Sequence, residues 1–150
     1  MIQRAQTLYL LGATALVALC FIFAFAVLTN SSGEMETYTL LAFSKGNYNN
    51  FLSTIIAFLS GIVVGAGFTN IFSYKKRKYQ MRVCLILIVL IVLIEILAFI
   101  LLKHVRNEFG MAISYKLPVA LPLISAVLYY LAYTKIKKDE ELVKSYDRLR

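Results

Sequence analysis

From Val83 to Leu102 the chain reads VCLILIVLIVLIEILAFILL, an unbroken aliphatic run in which Glu95 is the single charge. About 20 apolar residues, wound as a helix rising about 1.5 Å per residue, cross the roughly 30 Å hydrocarbon core of a bilayer. Such a segment commits the chain to a membrane and places an acid inside it. An ionisable side chain at that depth costs roughly 3 kcal/mol on insertion scales, so it faces the bundle or a wetted cavity and needs a partner. On a helical wheel Cys84, Ile88, Ile91, Ala98 and Leu102 share the face of Glu95. The small and polar side chains of the run gather there, and bulky aliphatics occupy the remainder.

Composition agrees. With 60% hydrophobic and 16% charged residues and a mean hydropathy of +0.73, the 150 residues read as one membrane domain rather than a soluble one. The net charge of +8 would suit nucleic acid, but the bases sit in short segments beside apolar runs. Topology and anionic lipid head groups account for that placement, and no nucleic-acid partner is expected. Cys20 and Cys84 both fall in apolar runs toward opposite sides of the membrane, so no disulfide is expected between them. His104 stands alone, and neither a metal site nor any other cofactor is expected.

Three further apolar runs complete an all-α reading, a four-helix transmembrane bundle spanning about 6–28, 51–73, 83–102 and 117–134. The first run contains Ala24-Phe25-Ala26, the small-x-small form of a cleavage site, but it exceeds the usual signal-peptide core and is read as a permanent helix. Of the two outer loops, Thr29 to Asn50 carries a β-prone run at Tyr38 to Phe43 followed by the turn residues Ser44 to Asn47, and Gly110 to Tyr115 is a second short strand candidate. Together they can form a small β-hairpin cap. The fourth run opens with Pro118 and Pro122; the second should free a carbonyl and bend the helix start. Tyr129, Tyr130 and Tyr133 near its far end suit an interfacial aromatic belt.

In the second run Ser53, Ala57, Gly61, Gly65, Thr69 and Ser73 recur every four residues, a small-residue stripe of the kind that lets helices approach closely in lipid. An internal packing face is expected of it before a dimerisation face. The inner turn, YKKRKYQMR, carries Lys75, Lys76, Arg77, Lys78 and Arg82 with no acid, a basic patch for lipid or a partner. Residues 135–150 form a charged tail in which Leu142, Val143, Tyr146 and Leu149 fall on one helical face. With Asp147 and Arg148 they are the candidate docking residues of an amphipathic helix that continues the fourth span, lying on the membrane or holding a partner.

Twelve of the 16 Lys and Arg residues lie in the N-terminal segment, the inner turn and the tail. The positive-inside rule then puts both termini in the cytoplasm. Glu95 lies seven residues before the outer end of its run, on the order of 10 Å below the outer boundary at about 1.5 Å per residue. Matching depth selects Ala18 to Phe21 on the first helix, and Ser60 and Ser125 on the second and fourth as hydrogen-bond partners. No base lies inside an apolar run, which leaves three settings for the acid. It is protonated and bonded to hydroxyls, it is a wetted carboxylate, or it is paired with a cation from another protein.

The opening MIQRAQTLYL and the ending IKKDEELVKSYDRLR resemble those of a family of small, uncharacterised, four-helix inner-membrane proteins of the Bacteroidota. The resemblance runs the length of the chain and is most specific in the tail. It implies a bacterial cytoplasmic membrane and supplies no activity, substrate or functional residue. No Gly-rich phosphate loop, metal-ligand cluster or nucleophile–base pair is present, so no enzyme is expected. The leading expectation is a non-catalytic accessory or scaffold subunit of a membrane complex, with a membrane-protein partner or a second copy of itself as its contact. A small transporter or proton-coupled carrier centred on Glu95 is the alternative.

Overall fold

The computed structural model describes residues 3–31, 33–41, 51–74 and 76–148, with the backbone alone at 3, 4, 144 and 146–148. Four helices make the body: α1 (Gln3–Leu19), α2 (Phe51–Phe72), α3 (Arg77–Phe109) and α4 (Leu121–Arg148). Three short strands, β1 (Ala26–Thr29), β2 (Met35–Tyr38) and β3 (Ala112–Tyr115), close one end. Each helix packs chiefly on two neighbours, in the cyclic order α1, α2, α3, α4 and back to α1. Three segments are long and apolar enough to cross a membrane: α2, α3, and Leu117–Val143, which takes in the turn before α4 and most of α4 itself. Their outward faces carry exposed aliphatic and aromatic side chains such as Phe58, Val89, Ile96 and Val127. Surface of that kind favours hydrocarbon over water as a neighbour.

The first span is the main departure from the pattern read in the sequence. Helix α1 stops at Leu19 after 17 residues, about 25 Å at 1.5 Å per residue. The apolar residues that follow turn through 3₁₀-type hydrogen bonds, Phe21 N–H to Ala18 O at 3.1 Å and Ile22 N–H to Leu19 O at 3.0 Å, and then enter β1. Hydropathy does not separate these outcomes, because a strand here buries the same apolar atoms as a helix. The β-branched and aromatic content of Phe21 to Val27 favours the strand.

That strand also changes the outer cap. The sheet order is β2-β1-β3, antiparallel throughout, with Leu28 opposite both Glu36 and Ile113. Both outer loops supply a strand, but the two do not pair with each other; the end of the first apolar run lies between them. In the first loop the strand precedes the expected run: β2 ends at Tyr38, and Leu40 N–H bonds Cys20 O at 3.2 Å. Residues 42–50, which include the expected turn Ser44 to Asn47, lie outside the described residues. Gly33 (φ 81°) closes the β1–β2 turn, and Gly110 (φ 64°) ends α3 with its N–H on Arg106 O at 2.9 Å. Both backbones sit in the left-handed region that glycine enters without a Cβ clash.

The third span is longer than the aliphatic run. Helix α3 takes in basic residues at both ends and runs to Phe109 over 33 residues. At the fourth, Leu117–Ala120 is a 3₁₀ turn, and Pro122 stands in the first turn of α4. The carbonyl that Pro122 leaves without its helical donor, Pro118 O, accepts Leu121 N–H, and the Cys20 thiol lies 4.0 Å away. The helix then continues without a break into the tail.

Candidate functional site

Glu95 sits midway along α3 and is 5% exposed, on the buried face that also carries Cys84, Ile91, Ala98 and Leu102. Neither of its carboxyl oxygens has a hydrogen-bond partner among the described residues. The two serines matched to it by depth are engaged elsewhere: Ser60 Oγ donates to Ile56 O at 2.7 Å within α2, and Ser125 Oγ to Ala13 O at 2.8 Å across to α1. Depth fixed a plane through the bundle but not the face each hydroxyl turns to. Cys20, inside the depth-matched stretch of the first span, and Tyr38 of β2 lie within electrostatic range of the acid. The early end of α1 brings both there. Phe25, at the foot of β1, makes edge contacts with Tyr38 at 6.2 Å and with Phe99, one turn of α3 beyond the acid, at 6.5 Å.

The bundle centre is a contact of three helices that the sequence pattern does not announce. Thr14 Oγ1 and Tyr129 Oη are 2.9 Å apart, joining α1 to α4, and both residues press on Gly67 of α2. A Cβ at Gly67 would stand 2.3 Å from Tyr129 Oη and 2.7 Å from Thr14 Oγ1. The tyrosine is therefore turned inward and not part of an interfacial belt, whereas Tyr130 and Tyr133 stack outside at 6.4 Å. The buried face of α2 is Ser53, Ile56, Ser60, Val63, Gly67 and Asn70. Of the four-residue stripe only Ser53 is on it; Ala57 is half-buried, while Gly61, Gly65 and Thr69 face outward with nothing within 4 Å of a Cβ at either glycine. A ladder of step four drifts around a 3.6-residue helix, so it leaves the core face within three turns.

At the other end Asn70 and Gln80 clasp α2 to α3. Gln80 Nε2 donates to Asn70 O at 3.0 Å, and Asn70 Nδ2 lies 3.4 Å from Cys84 Sγ. Both cysteines are free and buried. The signal for this clasp was an amide in the last turn of an otherwise apolar helix.

Beside the clasp an open groove of about 690 Å³ lies between the α2–α3 turn and the tail. Lys76, Arg77, Lys78 and Arg82 line it with Tyr74 and Tyr79, and the tail contributes Glu140. The sequence patch is thus gathered into one concavity, apart from Lys75, which lies outside the described residues. Lys76 takes the N-cap position of α3 without a side-chain cap, and the first turn of α3 holds no acid. The positive end of the helix dipole therefore adds to the four bases. The tail is fixed beside the groove by a hydrogen bond from Gln6 Nε2 of α1 to Asp139 Oδ2 and by burial of Ile136. The N-terminal helix start, the basic turn and the tail thereby share one end of the bundle.

Along the tail Lys137 and Glu141 approach to 4.0 Å, and Leu142 and Val143 are exposed by 51% and 42%. The side chains of Tyr146, Asp147, Arg148 and Leu149 lie outside the described residues. At the far end of α3 His104 Nε2 pairs with Glu108 at 3.1 Å, and among the described residues no three His, Cys, Asp or Glu gather as metal ligands.

Neither a curated protein nor a solved structure matches the chain. A family model does, over residues 2–149, so the protein belongs to the family described as Domain of unknown function (DUF4293).

Proposed function

We propose that this is a non-catalytic integral protein of a bacterial cytoplasmic membrane, an accessory or scaffold subunit that meets its partner through the tail. One observation carries the reading: α4 continues unbroken from its apolar segment into the tail and presents Leu142 and Val143 outward. A charged helix that exposes two adjacent aliphatics beyond its anchored turn has a face suited to another helix. The orientation follows from the bases, which cluster at the end shared by the inner turn and the tail.

The test is affinity purification after gentle solubilisation, comparing the full chain with a truncation after Glu140. That truncation keeps Ile136 and the Gln6–Asp139 bond and removes the exposed Leu142 and Val143. A stoichiometric membrane partner should accompany the full chain and be lost with the truncation or with Leu142→Glu. Recovery of the full chain alone, in repeated preparations, would overturn the reading.

The bare carboxyl of Glu95 supports a second reading, a small proton-coupled carrier. An acid buried without donors is held neutral or exchanges a proton with something that reaches it. Flux in reconstituted vesicles that is abolished by Glu95→Gln would establish this; equal flux in the variant and in empty vesicles would remove it.

A further inference from the structure

We propose that the groove between the α2–α3 turn and the tail binds the head group of an anionic phospholipid carrying two phosphates. Charge is the first reason. Lys76, Arg77, Lys78 and Arg82 face one concavity against the single acid Glu140, and the uncapped start of α3 points its dipole the same way. A lone phosphate neutralises little of that field, and a space of about 690 Å³ is larger than one phosphate fills. Basic pockets at the cytoplasmic ends of membrane helices suit multiply charged head groups for this reason.

Position is the second reason, and it separates a lipid from a soluble phosphate compound. The groove adjoins a smaller one of about 420 Å³ lined by Phe72, Ser73, Tyr74 and Lys76, so Tyr74 and Lys76 belong to both. Phe72 ends the apolar helix α2 and is 65% exposed, and Phe68 one turn earlier is 59% exposed, with the rings in edge contact at 5.2 Å. An aromatic ledge therefore runs from the charged groove along α2 toward the hydrocarbon. Head group and acyl chains have contiguous, chemically distinct surfaces to meet. A soluble anion would use the groove and leave the ledge empty.

The binding does not depend on the partner reading of the tail, because the purified protein alone supplies every group involved. The experiment is native mass spectrometry of the full chain released from nanodiscs. Discs containing a diphosphatidylglycerol are compared with discs containing phosphatidylglycerol at matched total charge. The two-phosphate lipid should be retained at least about fivefold over the singly charged one, the gain from about one extra base contact near a membrane surface. The triple variant Lys76→Gln, Arg77→Gln, Lys78→Gln should lower retention by on the order of a hundredfold at about fivefold per base. The equal charge change Lys103→Gln, Arg106→Gln, Lys116→Gln at the other end should leave it unchanged. Equal retention of the two lipids, or equal loss in the two triple variants, would show a diffuse charge effect and overturn the assignment. Release of the lipid by millimolar inorganic phosphate would overturn it in favour of a soluble ligand.

Discussion

Replacing Gly67 by alanine should destabilise the bundle, although alanine is the better helix former and the site is in mid-helix. The added Cβ would meet Tyr129 Oη at 2.3 Å and Thr14 Oγ1 at 2.7 Å, both far inside van der Waals contact. Tyr129 is fully buried, so its ring cannot swing out to make room. Relief requires α2 to move away from α1 and α4, or the 2.9 Å Thr14–Tyr129 bond to break. Overpacking of this kind costs about 1–3 kcal/mol. A lost hydrogen bond between membrane helices adds roughly 0.6 kcal/mol, and the gain in helix propensity returns up to about 1 kcal/mol. The net loss is about 1–3 kcal/mol. Equilibrium unfolding in mixed SDS micelles reads it directly. Gly61→Ala and Gly65→Ala are internal controls, since nothing lies within 4 Å of a Cβ at either, and both should leave the parent stability unchanged or raise it by up to about 1 kcal/mol through helix propensity. Tyr129→Phe removes the closest atom, so the double variant with Gly67→Ala should be more stable than the sum of the two singles. If Gly67→Ala proved as harmless as Gly61→Ala, or strictly additive with Tyr129→Phe, the three-helix contact would be wrong.

Two further perturbations test the acids. Glu95→Gln keeps the shape of a side chain that has no hydrogen-bond partner among the described residues, so the unfolding free energy should change by less than about 1 kcal/mol, whereas Glu95→Lys should prevent stable folding. A lipid-soluble carbodiimide, which attacks protonated carboxyls in apolar settings, should label the parent at Glu95 and leave the Gln variant unlabelled there; no label at Glu95 in the parent would show a charged or shielded acid. Glu36 on β2 is held above the usual carboxyl value of 4.5, first by burial and then by the charge of Glu34. The folded state therefore binds more protons than the unfolded one just above pH 4.5, and stability falls as pH rises through that window. Glu36→Gln should flatten this part of the pH–stability curve. An unchanged slope in the variant would show that Glu36 is not its source.

Much of the fold was legible in the residues. The aliphatic run at Val83 to Leu102 became the centre of α3, and the wheel face around Glu95 became its buried face, because in a long helix the odd polar group is turned inward whatever the neighbours are. The basic turn and the continuous tail were read for the same reason, as local composition that the fold leaves in place. The candidate polar cluster was not legible. Ser60 and Ser125 lie at a suitable depth, yet each satisfies its hydroxyl on a carbonyl close at hand, one within α2 and one on α1. The stripe through Gly61 and Gly65 had the right composition and the wrong phase, and Gly67 carried no signal beyond being a glycine. Thr14, Tyr129 and Gln80 were similarly silent, since what matters about them is which group they reach across the bundle.

The sequence by itself determined the apolar segments, the acid within them and the polarity of charge between the two ends. All of these depend on transfer free energies summed along the chain, which need no tertiary partner. Where the first segment stops being a helix was decided only by tertiary structure, since a strand at Ala26–Thr29 is stable only between β2 and β3, and those arrive from distant loops. The surroundings of Glu95 followed from that choice, because ending α1 at Leu19 brought Cys20 and Tyr38 within electrostatic range of the acid in place of further turns of helix. The groove is likewise a tertiary object: its bases are adjacent in sequence, but its wall is closed by Glu140 of the tail, placed there by the bond between Gln6 and Asp139.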